Sequence, residues 1–159
     1  VLPAGVNSGT TNIGSPGRIF NTVYARATTA QYADLAEKYE TDREYEVGTV
    51  LVAGGEKELT ASMVNQIAIG VISENPAFLM NEGSAGQAVA LKGRVKVKVM
   101  GTVNKGDGLT AGDCGHAITS YDEANSPEPT SGLLLQRVFA VALESSDNPD
   151  SKLIECIVL

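Results

Sequence analysis

Between Lys92 and Lys98 the chain reads Lys-Gly-Arg-Val-Lys-Val-Lys, with a charge at every second position and small or β-branched residues between. That period belongs to a strand, whose successive side chains point to opposite faces, one toward solvent and one toward a core. Strand candidates with similar chemistry follow from Tyr45 onward: Tyr45 to Val52, Glu58 to Ala61, Ala68 to Ser73, Ala88 to Leu91, Arg94 to Val99, His116 to Thr119, Leu133 to Leu143 and Lys152 to Leu159. Between them stand the turn-forming stretches AGGEKE, SENPA, NEGSAGQ, NKGDGLTAGDCG, DEANSPEPTSG and ESSDNPDS. Seventeen glycines fit many turns, and 5% aromatic residues with no Trp leave small and β-branched side chains to fill the interior. The expected fold is mainly β: a compact antiparallel barrel or clip with an extended N-terminal arm and one short helix.

At 159 residues this is one domain with an appendage. Residues 1 to 17 are rich in Gly, Ser, Thr, Asn and Pro and read as an arm. RIFNTVYARA then alternates as a strand that is partly apolar on both faces, so it needs a partner on each side. From Thr29 the period changes. Tyr32, Leu35 and Tyr39 fall at i, i+3 and i+7, the stripe of a helix of about three turns, capped by Thr28 or Thr29. The expected organisation is arm and stem strand over 1–28, short helix and acidic elbow over 29–44, and β-domain over 45–159.

A net charge of −7 argues against nucleic acid, which needs clustered cations. No apolar run is long enough to span a membrane by a helix, and no signal peptide is expected. The chain opens on Val1, read as a trimmed, cleaved or omitted start. Cys114 and Cys156 make no disulfide framework and suit a reduced cytosolic compartment.

Few constellations carry chemistry. On a helix Asp34 and Glu37 would share a face and form an acid-base pair, or lie solvated with Asp34 facing Lys38. Asp113, Cys114 and His116 fall short of the ligand set of a zinc site, so neither metal nor cofactor is expected. No serine sits in a nucleophile-elbow context, and KGDGL is a turn rather than a phosphate loop. A carbohydrate-cleaving groove would need aromatics the chain lacks. What remains suits assembly. Protomers that share strands remove open edges, so a homotrimer is expected, with stem contacts at Ile19, Phe20, Val23, Tyr24, Tyr32 and Leu35.

The stretch GSPGRIFNTVYARATTAQYADLAEKYETDREYEVGTVLVAGGEKELTAS, then AIGVISENPAFLMN and VALKGRVKVKVMGTVNKGDGLTAG, runs in one order over residues 14 to 112. The ordered set resembles the C-terminal domains of tailed-phage tail-fibre, appendage and other virion structural proteins. The resemblance implies a virion protein assembled in the host cytoplasm: a trimeric fibre head that contacts other virion proteins and a host surface receptor. One variant of that reading is a capsid decoration or head fibre. Part of the superfamily is self-cleaving, an intramolecular chaperone whose acidic residues would fall on Asp34 and Glu37. Lys38-Tyr39 departs from that pattern, and the chain is expected not to be an enzyme.

Overall fold

The computed structural model describes residue 15 and residues 17–22, 29–120 and 137–159. Among the described residues ten strands follow one another: β1 (Asp34–Tyr39), β2 (Val50–Ala53), β3 (Leu59–Ala61), β4 (Ala68–Ile72), β5 (Phe78–Met80), β6 (Gln87–Val99), β7 (Gly108–Ala111), β8 (Ala117–Thr119), β9 (Ala140–Ala142) and β10 (Lys152–Val158). A single turn of 3₁₀ helix at Asp113–Gly115 separates β7 from β8. No helix among the described residues is long and apolar enough to cross a membrane.

The spine is β6, and its alternation is the one its sequence announces. Val95, Val97 and Val99 are buried, while Lys92, Arg94 and Lys96 are exposed and Lys98 is half-covered. Two strands antiparallel to it hand over along its length. Asp34↔Gly93 to Tyr39↔Gln87 places β1 on the first half, and Val158↔Gly93 to Lys152↔Val99 places β10 on the second. Gly93 sits at the handover with φ +105°, where a Cβ would collide with the Ala33 carbonyl oxygen and lie 3.0 Å from Asp34 Cα.

The second half of β6 closes a five-stranded barrel. The ring runs β6–β10–β9–β7–β8 and returns to β6 through the parallel pair Val99↔Ala117. The first half of β6 carries β4, β2 and β3 as an antiparallel extension, and β1 brings β5 alongside it in parallel. Successive residues of the extension feed different interiors. Val50, Val71 and Ala90 join the barrel core of Val97, Val99, Leu109, Ile154 and Cys156. Their neighbours Leu51, Ile72 and Val89 join Leu59 in a smaller cluster beneath Tyr39 and Tyr45. Each fully buried Val or Leu contributes roughly 1.5–3 kcal/mol, so a strand covered on both faces gains from nearly every residue.

The helix expected over 29–39 does not form, and Asp34–Tyr39 within it is a strand. Asp34 and Ala36 are buried while Leu35 between them is exposed, a period of two that fits β1 between β5 and β6. An isolated helix of this length is marginal in water, and long-range pairing wins. β5 and β7 were not expected from sequence; β7 emerges from the glycine-rich stretch taken as turn, although Asn104 to Asp107 do turn, with Asp107 N–H donating to the Asn104 carbonyl at 3.0 Å. The candidates Ala88 to Leu91 and Arg94 to Val99 are one strand that passes through Gly93.

Cys156 is buried in the barrel, and burial first, then Glu155 and Glu144, pushes its thiol up to about 12. Cys114 is exposed in the 3₁₀ turn at φ +55°. A thiol titration with an aromatic disulfide at pH 8 is therefore expected to count one reactive group in native protein and a second only in denaturant. Two groups reacting at equal rates in native protein would contradict the burial of Cys156.

Candidate functional site

Where β1 begins it crosses the handover on β6, and the crossing leaves a cleft of about 280 Å³. Its walls are Gln31 to Asp34 on one side, Ser73, Glu74 and Asn75 after β4 on another, and Arg94, Lys96 and Glu155 from the β6–β10 ladder. Asp34 stands in this wall with only 5% of its surface exposed. Its Oδ2 accepts a hydrogen bond from Ser73 Oγ at 2.6 Å, and its backbone carbonyl accepts from Ala77 N–H at 3.0 Å. Among the described residues its other carboxylate oxygen has no hydrogen-bond partner, and no Lys or Arg forms an ion pair with it. A carboxylate held this way can accept a hydrogen bond from a donor on a ligand or neighbouring chain that enters the cleft.

Glu37 lies elsewhere. Three residues along a strand place it on the face opposite Asp34, so the shared helical face expected for this pair does not form. Its carboxylate accepts the Tyr39 hydroxyl at 2.8 Å, and desolvation followed by this bond raises the tyrosine pKa above its ordinary value. Lys38 does not face Asp34 either; its ammonium reaches the Glu82 carbonyl at 2.9 Å.

The acids after β1 form an elbow that is built rather than merely wet. Asp42 Oδ1 accepts the N–H groups of Glu56 and Lys57 at 2.9 and 2.8 Å, and the Lys57 bond leads the causes that hold its pKa below the carboxylate norm. Glu40 pairs with Lys57 at 2.9 Å, which raises the lysine pKa. Gln87 closes the elbow from inside, its amide oxygen accepting Tyr45 N–H at 2.8 Å while its NH₂ donates to the Tyr45 carbonyl at 2.7 Å. Sequence gives no hint of Gln87 or Ser73, which are polar residues of common type far along the chain from their partners.

Of the expected stem contacts, Ile19 (83%) and Phe20 (63%) are strongly exposed, Tyr32 stands at the mouth of the cleft, and Leu35 is exposed on β1 beside Phe78. Val23 and Tyr24 lie outside the described residues. His116 binds Ser151 Oγ through Nε2 at 2.8 Å and faces the Asp113 carbonyl through Nδ1 at 3.1 Å, tying β10 to the 3₁₀ turn. Among the described residues no three metal-ligating side chains come together.

A scan of family models finds no match, and no curated protein matches the chain. Among solved structures, the pre-mature gene product 12 of bacteriophage phi29 superposes with a TM-score of 0.64 at 14% identity, over 87% of this chain and 23% of that one. The fold is similar to part of that phage protein. The chain thus spans less than a quarter of it. The N base of the phi29 head fibre gp8.5 is a looser likeness, with a TM-score of 0.42 at 14% identity over 79% of this chain and 93% of that one.

Proposed function

We propose that this chain is a structural component of a bacteriophage virion: the β-domain of a tail fibre or appendage, assembled as a homotrimer and positioned to meet a host surface. The observation that carries the reading is the fold likeness to part of a phage gene product. The exposed apolar residues near the N-terminus add to it, because Ile19, Phe20, Tyr32 and Leu35 stay uncovered in a single copy. Large apolar side chains left in water at the start of a domain suit a stem shared between protomers. The role is mechanical and adhesive, without cofactor or turnover. Light scattering coupled to size exclusion at micromolar concentration tests it: a trimer mass is expected, and a monomer at all concentrations overturns it.

A second reading has its own observation. Asp34 is a buried carboxylate bonded to a serine hydroxyl inside a cleft, the environment an acid of a self-processing chaperone would need. Glu37 takes no part in it. Expressing the domain with its natural upstream sequence decides: wild-type cleavage abolished in Asp34→Asn but retained in Glu37→Gln supports processing, and no cleavage in any of the three removes it.

A further inference from the structure

The outer face of the β6–β10 ladder leaves apolar surface uncovered. Leu153 and Ile157 point outward from β10, and Leu159 follows them, 59% exposed. Across the ladder Lys98 stands opposite Leu153, Lys96 opposite Glu155 and Arg94 opposite Ile157. Lys98 is paired with Glu46, whereas Lys92, Arg94 and Lys96 have no ion-pair partner among the described residues. The face therefore carries Leu153 and Ile157 with Glu155 between them along β10, and an excess of cations along β6, with Tyr32 and the Asp34 cleft at its border.

A second surface has the opposite sign. The bonds from Asp42 to residues 56 and 57, and from Glu40 N–H to Glu58 at 2.8 Å, gather Glu40, Asp42, Glu56 and Glu58 into one patch. Glu44 lies exposed in the same elbow, where Arg43 and Lys57 offset part of the charge. Residues separated in sequence are thus brought to one acidic face.

We propose that the β6–β10 outer face is a subunit interface whose occupant is the acidic elbow of a second copy of this chain. The charges are complementary, and each copy supplies one surface of each sign, so the stoichiometry balances in a closed assembly. Two different patches meeting make a heterologous contact, which closes into a ring when the rotation between copies allows. Burial of Leu153, Ile157 and Leu159 supplies the apolar centre, and the lysines and arginine form the polar rim. A polyanion such as nucleic acid is the weaker fit, because the net charge of −7 repels it. This inference rests on the proposed assembly of the chain into a fibre and names the surface through which copies would meet.

Mass measured by light scattering across a salt series tests it. Arg94→Glu with Lys96→Glu is expected to weaken self-association at least tenfold while leaving the thermal melt of the monomer fold in place. Adding Glu44→Lys and Glu56→Lys in the same chain is expected to restore it, since both surfaces are then reversed together. Wild type is expected to dissociate progressively as salt rises. An oligomeric wild type whose double reversal remains equally oligomeric overturns this interface and leaves the fibre reading standing, whereas a monomeric wild type overturns both. Should the reversal variant fail to fold, Ile157→Ser with Leu159→Ser makes the same test through the apolar half of the face.

Discussion

Replacing Gly93 by valine is expected to destabilise the domain by about 3 kcal/mol or more, read from the urea midpoint or the thermal melt. The backbone there has φ +105°, a region that side chains with a Cβ rarely enter. Strain is only the first cost. The new Cβ would meet the Ala33 carbonyl and Asp34 Cα, which belong to the neighbouring chain segment and not to a side chain that can swing away. Relief requires β1 to move off β6, at the residue where β1 gives way to β10 along the spine. The Asp34–Ser73 bond would move with it. Gly83→Val makes the control, because nothing lies within 4 Å of a Cβ at that turn. Equal midpoints for the two variants would mean that the handover at Gly93 is not tight.

The parts of the fold legible in sequence were those where local pattern and tertiary environment agree. Lys92 to Lys98 alternates because one side of β6 faces water and the other the barrel, so the period survives into the structure. Gly93 looks from sequence like a break between two strands; in the fold it marks a close approach of backbones within one. Tyr32, Leu35 and Tyr39 misled because Leu35 and Tyr39 fit a helical stripe and a strand face equally well. What decides between them is pairing of Leu35 with Phe78 and Lys92, and of Tyr39 with Gln87, residues 43 or more positions away. β5 and β7 were invisible for a related reason. They hold three and four residues, too few to show a period, and exist through the strands beside them. The cleft was half legible. The sequence points to Asp34, but through a helical partnership with Glu37, whereas its actual partner Ser73 directly follows β4.

Leu109→Ala is the second large effect expected, a loss of about 2–5 kcal/mol in equilibrium unfolding. Leu109 is fully buried in the barrel core and lies in the middle of the ring, paired with Thr119 of β8 on one side and Ala140 of β9 on the other. Around it the interior is mostly Val and Ala, whose short branched side chains cannot swing to fill a gap. The cavity would therefore stay open, and the cost should fall toward the upper part of that range. The supporting ladders are short: β8 and β9 have three residues each, and the ring closes onto β6 through the single pair Val99↔Ala117. Loosening that arc also strips cover from Cys156, so its thiol should become reactive in the variant under native conditions, a readout independent of the melting curve. Leu153→Ala, made in the Arg94→Glu, Lys96→Glu background where copies are held apart, removes the same atoms from an exposed position on β10 and should cost less than about 1 kcal/mol. A large gap between these two leucines is what a cooperative barrel requires; a small one would mean that β7 to β9 unfold apart from the β6 spine, and that the extension β1 to β5 carries the stability instead.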